Sequence, residues 1–185
     1  VSYVEPFAGG SGVAFYLLQN DYCSRLHLND LNYPLYCFWD TAINDSETLN
    51  RKIRNCTISV EAWKRHKNIL ADPLNRSTSD IGFALFFLNR VQRSGIIKNG
   101  SLIGGIEQKG RWKLDARFSK KSLMDRIDAI AAKGHRISLY NLDAKIFIEK
   151  KLPKISSNSF VYIDPPYFNK GQRLYDNFYN KEDHV

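Results

Sequence analysis

The first 30 residues constrain the fold more than any other stretch, because they run strand, glycine turn, helix, strand, acid. Residues 1–7 (VSYVEPF) read as a short strand, and Gly9, Gly10, Ser11 and Gly12 form a glycine-rich turn. An apolar helix (VAFYLLQN) follows, and then RLHLN (25–29) alternates apolar and polar as a second strand ending near Asp30. That order is the opening of a βαβ unit. YPLYCFWDTAIN (33–44) reads as a helix, with Pro34 in the first turn, where its missing N–H is not needed.

The same pattern returns near the other end. RISLYNLD (136–143) is a predicted strand closed by an acid, AKIFIEKKL a short helix, and SFVYIDPPY (159–167) a strand closed by an acid and two prolines. The two parts predict a doubly wound, Rossmann-like α/β sheet built from 1–45 and 136–185. Four strands make a small sheet of that kind, so further strands are expected after Val185. With Val1 instead of Met at its start, the natural start is expected upstream.

From 46 to 135 the character changes to an inserted, mainly helical lobe. Ser59 is a predicted cap for VEAWKRHKNILA, and IGFALFFLNRVQR (81–93) is a strongly apolar helix ending in a basic turn. Asn99-Gly100 and Gly104-Gly105 signal turns, and SLMDRIDAIAAKG (122–134) is an amphipathic helix with Ser122 as cap and Gly134 as stop. Asp30 and Asp143 stand 113 residues apart. A βαβ crossover needs only about 30, so roughly 80 residues are surplus to it. The charge lies in this surplus: residues 51–121 carry a net +11, and the rest of the chain −3, within a total of +8. A basic block of that size suits a polyanion such as nucleic acid, and equally a solvated face.

Other classes drop out quickly. With 43% hydrophobic and 25% charged residues in 185, the composition is that of an ordinary globular protein. No apolar run approaches the ~18 residues of a membrane span. Cys23, Cys37 and Cys56 are too scattered for a disulfide framework and read as reduced thiols of a cytoplasmic protein. His27, His66, His135 and His184 have no metal-ligand spacing, so no metal is expected.

Three acids end three predicted strands, where open α/β sheets bind ligands. Glycines after a strand let a ligand approach the backbone at a helix N-terminus, although they also serve a tight turn. Asp30, 18 residues after Gly12, is placed to accept from ribose hydroxyls, or to cap the next helix. Asp143 could face the adenine of the same cofactor. Asp164-Pro165-Pro166-Tyr167 is the sharpest signal. Its prolines hold an extended turn that offers a carboxylate, a proline carbonyl and an aromatic face together. An exocyclic amine on a flat base needs those three groups, whereas a purely structural turn needs only the prolines.

EPFAGGSG (5–12), NDLN (29–32), Asp143 and DPPY (164–167) together resemble the Dam-like (D12 class) DNA adenine-N6 methyltransferases, and FFLNRVQRSGIIKNGSLIGGIEQKGRWKLDARF (86–118) resembles the region between their cofactor motifs. The likeness covers nearly the whole chain in order. It implies S-adenosyl-L-methionine as cofactor, held by Glu5, Pro6, Phe7, Gly9, Gly10, Gly12, Asp30, Leu31 and Asp143. It implies double-stranded DNA as partner, read by the inserted lobe, with Asn89, Arg90, Arg93, Ser94, Lys98, Lys109 and Arg111 as contacts. An adenine flipped from the duplex would stack on Tyr167, with its N6 hydrogens on Asp164 and the Pro165 carbonyl and with Pro166 shaping the turn. A bacterial or phage cytoplasm follows from the same likeness, with room for a cognate restriction endonuclease as partner.

Two departures accompany the resemblance. The lysine- and glycine-bearing segment before the family's first strand and the strands after its DPPY lie outside this sequence. The chain is therefore expected to be an excerpt that folds or binds cofactor weakly by itself. Two rival readings stay open: methylation of another exocyclic or amide nitrogen (cytosine N4, an RNA base, a protein glutamine), and a non-catalytic DNA-binding module.

Overall fold

The computed structural model describes residues 1–166. Its described residues form two compact units, 1–36 with 129–166, and 37–128. The sequence pattern predicts division at 45/46 and 135/136; the two compact units change over within α2 (Tyr33–Asn44) and α6 (Lys120–Ala131).

The first unit holds a parallel four-stranded sheet in the order β3-β2-β1-β4, built from β1 (Ser2–Glu5), β2 (Arg25–Asn29), β3 (Ile137–Tyr140) and β4 (Ser159–Val161). Tyr3 lies opposite Leu26 on one side and Phe160 on the other. The chain enters at β1, winds outward through β2 and β3, and then returns to lay β4 on the far side of β1. The switch point therefore falls between β1 and β4, beside the carboxyl end of the first strand. A central parallel strand is covered on both faces, and all four residues of β1 are buried. Helix α1 (Gly12–Gln19) buries Ala14, Phe15 and Leu18, and α7 (Ala144–Lys150) buries Ala144 and Phe147.

The second unit is mainly helical. Three side-chain caps start its helices: Asp45 accepts from Thr48 N at α3 (Ser46–Asn55), Ser59 from Ala62 N at α4 (Val60–Ala71), and Ser77 from Asp80 N at α5 (Thr78–Val91). Helix α3 is not foreseen by the sequence pattern, because its apolar positions are few among polar ones. Helix α6 begins two residues before Ser122, which is therefore inside it and not its cap. Gly134 falls in a 3-10 turn past the helix end.

Helix α5 is the core of this unit, with Ile81 through Leu88 buried without a break. Gly82 explains how it sits so deep. A Cβ there would lie 2.6 Å from the Cys37 carbonyl oxygen and 2.7 Å from Phe38 Cα, so only glycine lets the two backbones meet. His66 of α4 packs on Phe83 and Phe87, at centroid separations of 5.1 and 4.5 Å. The imidazole is buried and neither ring nitrogen has a hydrogen-bond partner among the described residues. Burial first, then the Arg65 and Lys52 charges, pull its pKa down to about 4, against the opposing pull of Asp80.

The second unit is therefore acid-sensitive. The folded pKa lies below the unfolded one, so the unfolded state takes up the proton first as pH falls through 6.5 toward 4. Stability from the neutral imidazole is complete above that window, and about 2 kcal/mol of it is gone by about pH 5. Urea melts at about pH 7.5 and about pH 5 should show His66→Leu losing less stability than the parent over that interval. Equal losses would show that His66 does not set the acid sensitivity.

Candidate active site

The polypeptide leaves β1 at Glu5 and turns above the sheet through Pro6, Phe7 and Ala8 to the glycines. The turn is pinned where Ala8 N donates to the Asn29 carbonyl at 2.8 Å. Gly9 and Ser11 take left-handed conformations, at φ +49° and +43°. Ser11 is held there by its hydroxyl, which lies 3.0 Å from both the Glu5 carboxylate and the Ala8 carbonyl oxygen. It therefore gives no side-chain cap to α1. Gly10 and Gly12 have ordinary φ, and among the described residues a Cβ on either would meet no atom within 4 Å beyond its chain neighbours and its own helix. Neither conformation nor packing requires glycine there, so the space over the turn is available to a ligand pressed against the backbone.

Asp30 closes β2 against that turn. One carboxylate oxygen accepts from Gly9 N at 2.9 Å and the other from Asn32 N at 2.9 Å. Burial raises its pKa, and these two N–H donors work against the rise. Asp30 is not the cap of α2; Asn32 fills that role, accepting from Leu35 N at 3.0 Å. Leu31 is exposed beside Asp30, and Phe7 is half-buried.

Two asparagines to which the sequence pattern assigns no role, Asn29 within NDLN and Asn141, tie the strand ends together. Asn29 is fully buried; its amide donates to the Pro6 and Leu142 carbonyls and accepts from Leu142 N, each at 3.0 Å. Asn141 donates to the Asp30 carbonyl at 2.7 Å and the Leu31 carbonyl at 3.1 Å. The available signal is positional, since an Asn ends one predicted strand and another Asn lies within the second. Asp143 caps α7, accepting from Lys145 N at 2.9 Å and Ile146 N at 3.4 Å.

Beside β1 the pairing continues past β4, with Tyr162 N donating to the Val4 carbonyl at 2.9 Å. Two residues later comes Asp164, exposed, with exposed Pro165 and half-buried Pro166 following; Tyr167 lies outside the described residues. Glu5 is buried, which raises its pKa. The hydrogen bond from Ser11 opposes that rise, and the Asp164 charge adds to it. Glu5, Asp30, Asp164 and the open glycines thus share the carboxyl ends of the central strands.

In the second unit, the remaining candidates divide. Arg93, Ser94, Lys98, Lys109 and Arg111 are exposed or half-buried. Lys109 pairs with Glu107 at 2.6 Å, and Arg111 lies over the Trp112 ring at 5.3 Å. Asn89 is turned inward, donating to the Gly95 carbonyl at 3.3 Å and accepting from Arg90 at 2.6 Å. Burial, with Arg117 and Arg126 nearby, lowers the pKa of Arg90. Among the described residues no group of three or more His, Cys, Asp or Glu could hold a metal, and no helix is long and apolar enough to cross a membrane.

A doubly wound parallel sheet, with an acid closing its second strand on an open glycine turn, defines the class as an α/β protein of the class I methyltransferase fold. The description of D12 class N6 adenine-specific DNA methyltransferases matches residues 1–184, and the chain belongs to that family. A curated relative, the Type II methyltransferase M.MjaIII of Methanocaldococcus jannaschii, is 25% identical over 178 residues, which cover 89% of this chain and 58% of the relative.

Asn29→Leu should lower stability by about 3 kcal/mol, because three hydrogen bonds go and the partner groups stay buried. Urea denaturation measures this. A loss under about 1 kcal/mol would mean that the strand ends hold together without Asn29.

Proposed function

We propose that the chain forms the cofactor-binding and DNA-reading part of an enzyme that methylates the N6 amine of adenine, flipped out of double-stranded DNA at a short specific sequence. The observation that carries this reading is the set of acids around the open glycine turn at the switch point, with Asp164-Pro165-Pro166 beside it. Family membership supports adenine as the target.

The chain's own residues suit S-adenosyl-L-methionine, which when bound supplies an electrophilic sulfonium methyl. Each Asp30 oxygen accepts one N–H, leaving lone pairs for ribose hydroxyls. Gly9, Gly10 and Gly12, with Glu5, Pro6 and Phe7, would border the methionine portion, and Leu31 and Asp143 the adenine. Asp164 and the Pro165 carbonyl would each accept one N6 hydrogen, and Tyr167 would stack on the base. Held this way, the amine turns its lone pair toward the methyl, and Asp164 stabilises the charge that develops on nitrogen.

The DNA contacts fall to the second unit, which has 17 Lys and Arg against 10 Asp and Glu. Arg93, Ser94, Lys98, Lys109 and Arg111 would meet the duplex, chiefly at phosphates. Asn89 and Arg90, both half-buried, would join them.

The test is methyl transfer from labelled S-adenosyl-L-methionine to unmethylated duplex DNA by the natural full-length protein, with nucleosides resolved. N6-methyladenine is expected, with Asp164→Ala lowering the rate at least about 100-fold. Label on cytosine would move the target to N4. Label absent from DNA despite cofactor binding would overturn the DNA reading.

A further inference from the structure

Residues 93–101 leave α5 and return to it as a closed loop. The antiparallel bridge of Gln92 with Leu102 seals its neck, flanked by Arg93 N donating to the Ser101 carbonyl at 2.9 Å and Ile103 N to the Val91 carbonyl at 3.0 Å. Ser94, Gly95 and Asn99 all take positive φ, of 55°, 70° and 57°. A chain held in three left-handed conformations needs something to hold it there.

Two amides fill that role. Asn89 Nδ2 donates to the Gly95 carbonyl, and a Cβ on Gly95 would lie 2.7 Å from that same nitrogen. Gln92 reaches into the loop itself. Its Nε2 donates to the Gly100 carbonyl at 2.8 Å and the Ile97 carbonyl at 3.4 Å. A Cβ on Gly100 would lie 1.9 Å from the Ile96 carbonyl oxygen and 2.7 Å from Gln92 Nε2, so the loop closes on the amide with no room for any other residue. The Gln92 carbonyl accepts from Arg117 at 3.2 Å. Gln92 is fully buried, and its Oε1 has no partner among the described residues. An apolar side chain of the same length would avoid that unpaired oxygen. The amide's value therefore lies in the two carbonyls it fixes.

The outward face of the loop is formed by Arg93, Ser94, Lys98, Asn99 and Ser101, all polar and none of them buried. Hydrogen bonds to base edges discriminate only when the donors and acceptors are held in place, and a loop already ordered loses little freedom on binding. We infer that Gln92 is a positioning residue for sequence recognition, setting the 93–101 loop so that its polar face reads DNA. This inference rests on the proposed DNA-methylating function and adds to it a residue that touches no substrate.

The experiment maps methylated positions in plasmid DNA for the natural full-length protein, and measures kcat and KM on duplexes that carry the preferred site or one altered base pair. Gln92→Met keeps length and bulk but removes the amide. Its preference for the proper site over the altered one should fall about tenfold, with kcat on the proper site within about threefold of the parent. Unchanged preference in a Gln92→Met protein that melts like the parent overturns the inference. Should Gln92→Met fail to fold, the uncharged surface pair Ser94→Gly/Ser101→Ala decides, Gly fitting the positive φ at 94. Weaker preference and a raised KM support the inference, and unchanged values overturn it. A parent protein that leaves DNA unmethylated removes the function on which the inference rests, and the inference with it; a methylating parent with an indifferent Gln92 removes the inference alone.

Discussion

A parallel sheet ends in a row of backbone groups whose ladder has run out, and burying them requires partners. In this chain the buried amide of Asn29 supplies three hydrogen bonds there, joining the turn after β1 to the loop after β3. The rest of the candidate site follows from that junction. With the Pro6 carbonyl fixed, the glycine turn lies where Gly9 N can meet Asp30. With Leu142 fixed, Asp143 is set as the cap of α7. Asp30 sits on rigid backbone because its neighbours on both sides are tied, which is the support a binding carboxylate needs.

Both units use the same chemical device. Asn29 and Asn141 brace the strand ends, while Gln92 and Gln108 brace the loops that follow α5; Gln108 donates to the Ile103 carbonyl at 2.9 Å and accepts from Leu114 N at 3.0 Å. An amide carries a donor and an acceptor on one short plane, and it can be buried without the desolvation cost of a charge. Under the proposed function the carboxylates, by contrast, sit where a ligand would add donors. Glu5 and Asp30 are both held with raised pKa values by burial, so each would gain from a donor brought by a ligand.

The frame is legible in the sequence because parallel-strand grammar is local. The glycine turn, the alternation in RLHLN and the acid at Asp30 each follow from adjacent residues, and the Ser59 cap reads equally directly. Helix α3 escapes such a reading because SETLNRKIRN shows little apolar surface, and its burial comes from only Leu49, Asn50 and Ile53. The change of unit inside α2 and α6 is hidden for a related reason. A continuous helix gives no breaker residue to mark a boundary, which depends on contacts distant in sequence. The bracing amides are illegible because Asn and Gln carry the same composition signal whether solvated or buried. Only the fold shows that Gln92 faces into a loop and that Asn89, which the sequence suggests as a DNA contact, is turned to the Gly95 carbonyl.

The charge distribution fits a division of labour under the proposed function. The second unit carries a net +7 and the remainder +1. Exposed cations such as Lys98 and Arg111 attract any duplex, and their contribution weakens steeply with salt. Attraction of that kind cannot tell one sequence from another, because every phosphate looks alike. Discrimination has to come from groups whose positions are fixed, and exposed lysine and arginine side chains are the least fixed on the surface. The 93–101 loop differs from its basic surroundings in this respect: its backbone is locked by the amides of half-buried Asn89 and buried Gln92. Affinity and specificity would thus rest on different physics within the same unit, one screened by salt and one set by buried hydrogen bonds.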